Sequence, residues 1–176
     1  MNKALTKTLL VIIDQVIVSL SNFFVSYYLA LTLSLDSFGL YSLLFAILMF
    51  VFSFSNALFF QPYQLNNIKN HFINKENLFS NTSMLILCTE LMLLFYLFIS
   101  NNLSIYTFGF LFYLSLFIIH EMNRKILLTE KRYFWLLMID FIAYGLRVLI
   151  ILLLYNSERI DYLFYMLSVS FLFAVL

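Results

Sequence analysis

Residues 8–33 read TLLVIIDQVIVSLSNFFVSYYLALTL. The stretch is 26 residues long and mostly apolar, with one charge, Asp14. About twenty such residues form a helix long enough to cross the hydrocarbon core of a bilayer. Four similar runs follow, at residues 38–60, 79–99, 104–122 and 134–155, and a sixth begins near Ile160 and is still running at Leu176. Short polar gaps separate them. Backbone groups in lipid need internal partners, so each run is helical unless the chain closes into a barrel. The alternating pattern of a barrel strand is absent. The sequence therefore predicts an all-α, polytopic transmembrane bundle of five to six spans, forming a single domain over residues 1–176.

Composition agrees. Hydrophobic residues make up 64% of the chain and charged residues 11%, where soluble domains hold about a quarter charged. A net charge of +1, without an extended basic patch, argues against a nucleic-acid partner. One Pro and three Gly predict mostly continuous helices, since transporters built on unwound spans usually break them with these residues. The aromatic content of 20% is discounted as a functional signal, because Phe and Tyr have AT-rich codons. Cys88, the single cysteine, lies within a span and reads as a small packing residue.

The basic residues sort to one side. Lys3, Lys7, Lys69, Lys75, Arg124, Lys125, Lys131 and Arg132 share it, and only Arg159 falls opposite. The positive-inside rule then places the N-terminus in the cytoplasm. Residues 61–78 and 123–133 become cytoplasmic loops, and residues 34–37 and 100–103 outward turns. Pro62 reads as the terminator of the second span. The N-terminal run is too long for a signal peptide and lacks a small-residue cleavage site. Asn102-Leu103-Ser104 fits a glycosylation sequon on the outward side.

Ionisable residues inside a span are costly and mark functional positions. Four qualify: Asp14, Glu90, Asp140 and Arg147. Asp14 and Asp140 lie about 9 Å from the cytoplasmic starts of their helices, with Glu90 about 16 Å and Arg147 about 20 Å in. Glu90 and Arg147 could therefore pair across helices, either to fix packing or to serve transport. Asp140 and Arg147, seven residues apart, share a helix face. His120 and Glu121 lie near the cytoplasmic end of their span, within reach of water, and as neighbours on a helix point in different directions. Asn22 and Gln15 could hydrogen-bond across helices. Tyr27 and Tyr28 fit an interfacial aromatic belt. Metal-ligand clusters, a His-Glu-x-x-His motif and phosphate-cradling glycine loops are missing from the sequence, so no cofactor, metal or enzymatic role is expected.

Asp14-Gln15, Ser19, Asn22-Phe23 and Leu29-Ala30, followed by Phe38-Gly39-x-Tyr41-Ser42, resemble the start of a Wzx-type polysaccharide flippase, of the MOP superfamily that includes the MATE exporters and MurJ-type flippases. The basic stretch from Arg124, with Ala143-Tyr144 and Arg147 beyond it, is also similar. Ala30-Leu31 stands where the family often has Ala-Arg, and Gln61-Pro62 where it often has Glu-Pro. The resemblance covers the first lobe of a two-lobe transporter. It implies export of lipid-linked oligosaccharide, such as an O-antigen or capsule repeat unit, across the inner membrane of a bacterium by alternating access. A missing second lobe or a second copy of the chain would complete the cavity, with membrane lipids around it. Arg147 would bind the substrate's phosphate, and Asp14, Glu90 or Asp140 the coupling ion. The alternative is a non-transporting assembly partner or a truncated remnant of such a transporter.

Overall fold

The computed structural model describes residues 3–68, 75–99, 105–154 and 163–175. Lys69, the outward turn at 100–103, the sequon and Arg159 lie outside them. All described elements are helical: α1 (Lys3–Thr32), α2 (Leu35–Ser55), a π-helical turn (Asn56–Phe60), α3 (Gln61–Ile68), α4 (Lys75–Ile99), α5 (Ile105–Thr129), α6 (Tyr133–Leu154) and α7 (Leu163–Val175). The protein is an all-α bundle. Four segments, Leu5–Thr32, Leu35–Leu65, Lys75–Leu94 and Tyr133–Leu153, are long and apolar enough to cross a membrane.

The bundle is built on two helix pairs. α1 lies along α6 and α5 along α7, and α6 also packs on α7. α4 rests on α5 more lightly. The core is rich in rings: Phe164 meets Tyr41, Phe110 and Tyr113, and Phe171 meets Tyr113, Phe117 and Tyr144. Leu9, Phe23, Phe50, Met92 and Leu153 face outward, as they must where the surroundings are lipid.

Helix ends follow local chemistry. Ser34 caps α2, its Oγ accepting the Ser37 N–H at 3.3 Å, so the α1–α2 connection is shorter than residues 34–37 suggest. α5 closes in a Schellman arrangement, with Arg132 N–H on Leu127 O and Lys131 N–H on Leu128 O. Lys131 takes the left-handed position at φ 59°.

Two expectations about helix limits are corrected. Pro62 does not end the second span: the helix passes through it to Ile68. The π turn supplies the reason. The Gln61 N–H reaches back to Asn56 O, five residues away. That widened turn directly before Pro62 relieves the clash a proline ring makes inside an α-helix. The expected 61–78 loop therefore contains helix at both ends. Likewise α5 continues two turns past Met122, so Arg124 and Lys125 belong to the helix and not to a loop.

Candidate functional site

At the junction of α1, α5 and α6, one arginine holds three carboxylates. Arg124 Nη2 donates to Asp14 Oδ2 at 2.9 Å, Nη1 to Glu121 Oε1 at 2.8 Å, and Nε to Asp140 Oδ2 at 2.6 Å. Each helix delivers its side chain by register. Glu121 and Arg124 sit three residues apart on one face of α5, while Asp14 and Asp140 stand at matching depths on the neighbouring helices. All four are buried; Asp14 and Asp140 are completely so. The Tyr144 hydroxyl lies 3.4 Å from Glu121 Oε1.

His120 closes the cluster from the α7 side. Its ring is fully buried against Phe171, 4.9 Å between centroids, and Tyr144, 5.9 Å. Nε2 stands 3.0 Å from Asp140 Oδ1 but off the hydrogen-bond axis. Among the described residues, both imidazole nitrogens, Asp14 Oδ1 and Asp140 Oδ1 have no hydrogen-bond partner.

Beside the cluster lies a cavity of about 350 Å³. Gln15, Asn22, Asn56, Glu121, Arg124 and Lys125 give it a polar wall, and Val18, Met49, Phe52 and Phe117 an apolar one. Asn56 reaches it from the π turn, with its Oδ1 buried and unpartnered. Leu128, from the last turn of α5, and Leu136, from the first turn of α6, place the cavity toward the basic end of the bundle.

The sequence-predicted residues divide. Asp14 and Asp140 meet on Arg124, as their equal depths allow. Arg147 does not pair with Glu90. Its Nη1 donates to Asn22 Oδ1 at 2.6 Å, and the guanidinium lies 5.7 Å from the Tyr113 ring centre. Glu90 instead accepts from the Ser115 hydroxyl. Register explains the difference: α6 packs along α1, which carries Asn22, whereas Glu90 rides on α4, which touches α5. Asn22 thus makes an interhelical bond, while Gln15 bonds to neighbouring Asp14. His120 and Glu121 do not reach bulk water: both are buried. Although adjacent, both enter the same cluster, because α6 and α7 wrap α5 on two sides. Cys88 is exposed and not a packing residue of the interior. Arg124 was missed as a site residue because its place among loop basics hid the His120/Glu121/Arg124 spacing.

Among the described residues, no group of three or more His, Cys, Asp or Glu is disposed to hold a metal ion. No family model, no curated protein and no solved structure matches this chain.

Proposed function

We propose that this protein moves lipid-linked oligosaccharide across the cytoplasmic membrane of a bacterium by alternating access. The carrying observation is the polar cavity within an apolar bundle, bordered by Arg124 and Lys125 and by three side-chain amides. A sugar–phosphate head needs such a wall, since its charge and hydroxyls are costly to move through a low-dielectric layer. The lipid tail stays in the bilayer beside the helices. Lys125 presents a cation to the cavity directly. Arg147 stands behind Asn22, with its Nε buried and, among the described residues, without a hydrogen-bond partner, and supplies a second positive charge for the phosphate. Asp14 and Asp140 are the carboxylates for ion coupling; Glu90, held by Ser115, is a separate third. The sequence resemblance to Wzx-type flippases supports the same reading.

The test uses the purified protein in liposomes with a polyprenyl-pyrophosphate oligosaccharide bearing a fluorophore on its sugar. An impermeant quencher reports how much substrate faces outward. The expected result is protein-dependent exchange between leaflets, slowed in Lys125→Ala and Arg147→Ala. No exchange by the wild-type protein in sealed vesicles would overturn the reading. Normal exchange in both Arg147→Ala and Arg147→Lys would remove Arg147 from the mechanism.

A further inference from the structure

The charges buried around Arg124 do not balance. Asp14, Glu121 and Asp140 bring three negative charges to this part of the bundle. Arg124 and Arg147, the fully or nearly fully buried cations near it, bring two, and arginine does not lose its proton in proteins; Lys125 beside Glu121 is only half-buried and turns to the cavity. One negative charge is left over where an uncompensated buried ion costs several kcal/mol.

The geometry shows where compensation belongs. Nε and Nη2 form one edge of a guanidinium, whose two N–H bonds run parallel and usually grip a single carboxylate. Here that edge is divided between Asp14 and Asp140. Two carboxylates are thereby held side by side, an arrangement in which both do not ionise together. A metal ion suits the place poorly. The guanidinium already occupies the centre, and no metal-holding group of side chains is present among the described residues. His120 is a poor seat for the extra charge: among the described residues Nδ1 has no partner and Nε2 meets Asp140 Oδ1 only off the hydrogen-bond axis, so an imidazolium would bury one unsatisfied donor and one misaligned donor.

We propose that Asp14 and Asp140 share one exchangeable proton, and that it comes and goes through the cavity by way of Glu121. Glu121 is the one carboxylate of the three that also lines the cavity. In the entry step the Glu121 carboxylate takes a proton from hydronium in the cavity, leaving water; that O–H proton then passes to a carboxylate oxygen of the Asp14–Asp140 pair, and Glu121 returns to carboxylate. The groups facing the pair are Glu121, Arg124 and His120 from α5 and Tyr144 from α6, with Phe171 of α7 behind His120. This deepens the transport reading by naming its coupling ion, yet its test involves no transport.

Infrared spectra of the purified protein at neutral pH are expected to show a carboxylic-acid C=O band. The band should disappear in Asp14→Asn and in Asp140→Asn, each of which removes the surplus charge, and persist in the exposed control Asp36→Asn. Circular dichroism establishes that the variants remain helical. In D₂O the band should shift promptly in the wild type. It should shift more slowly in Leu128→Trp, which narrows the cavity while leaving every charged residue of the cluster in place. Absence of the band, its persistence in both Asp variants, or its replacement by stoichiometric Na⁺ binding would overturn the shared proton. An unchanged exchange rate in Leu128→Trp would overturn the route. A positive infrared result with no leaflet exchange leaves the proton site standing and removes the flippase reading alone.

Discussion

Arg124 is the residue on which the interior depends. Its three N–H directions are spent on three helices' worth of carboxylate, and the flat fork is what lets one cation serve them all. Arg124→Ala leaves those carboxylates facing one another in a buried space, and breaking a buried pair this way costs about 3–5 kcal/mol. Thermal unfolding in detergent should show that loss. Arg124→Lys should fall between, because an ammonium is a point charge and does not hold two carboxylates along one edge. A melting temperature unchanged in Arg124→Ala would show that the cluster carries no structural weight. The acids of this cluster were legible in the sequence: Asp14 and Asp140 are conspicuous in apolar runs and lie at equal depth. Their cation was not, because Arg124 follows the apolar run and reads as one more basic loop residue. Glu90 and Arg147 failed as a pair for a different reason. Depth along a helix is readable from spacing, but which helices become neighbours is a tertiary outcome.

Among the elements, α5 and α7 come close together at Gly109. A Cβ built there would lie 2.8 Å from Tyr165 Cδ2 and 3.3 Å from the Tyr165 backbone nitrogen. The ring can swing away, but the backbone atom has no such freedom, so the two helices would have to separate. Gly109→Ala should therefore destabilise the protein by about 1–3 kcal/mol, the usual range for overpacking. Gly39→Ala and Gly145→Ala, where a Cβ meets nothing within 4 Å, should be neutral or slightly stabilising through helix propensity. Equal melting temperatures for all three would refute the close approach. Helix positions were readable from the apolar runs to within a few residues, apart from the two ends where a local device intervened. The π turn absorbed Pro62, and the amphipathic last turns of α5 hid behind a loss of hydrophobicity that looked like a span end.

For the molecule as a whole, the ion pairs mark which ends lie together. Lys75, in the first turn of α4, pairs with Glu130 just past α5, and Arg132 meets the same carboxylate at 3.1 Å. The starts of α4 and α6 and the end of α5 therefore form one rim, which is the rim the basic residues define in the sequence. α1 has 30 residues, a length of about 45 Å, and α2 begins with Asp36 in its first turn. Lys7 and Asp36 consequently stand at opposite ends of a membrane-crossing helix. Surface ion pairs contribute little stability, so this rim is held by the turns and the bundle, with charge deciding its side of the membrane. In a Cys88→Ala background, single cysteines replacing Lys7, Lys75 and Lys131 should all react with an impermeant maleimide from the cytoplasmic side. A cysteine replacing Asp36 should react only from the other. Labelling of the Lys75 and Lys131 positions from opposite sides would break the shared rim, and with it the assignment of the cavity near Leu128 to the cytoplasmic end of the bundle.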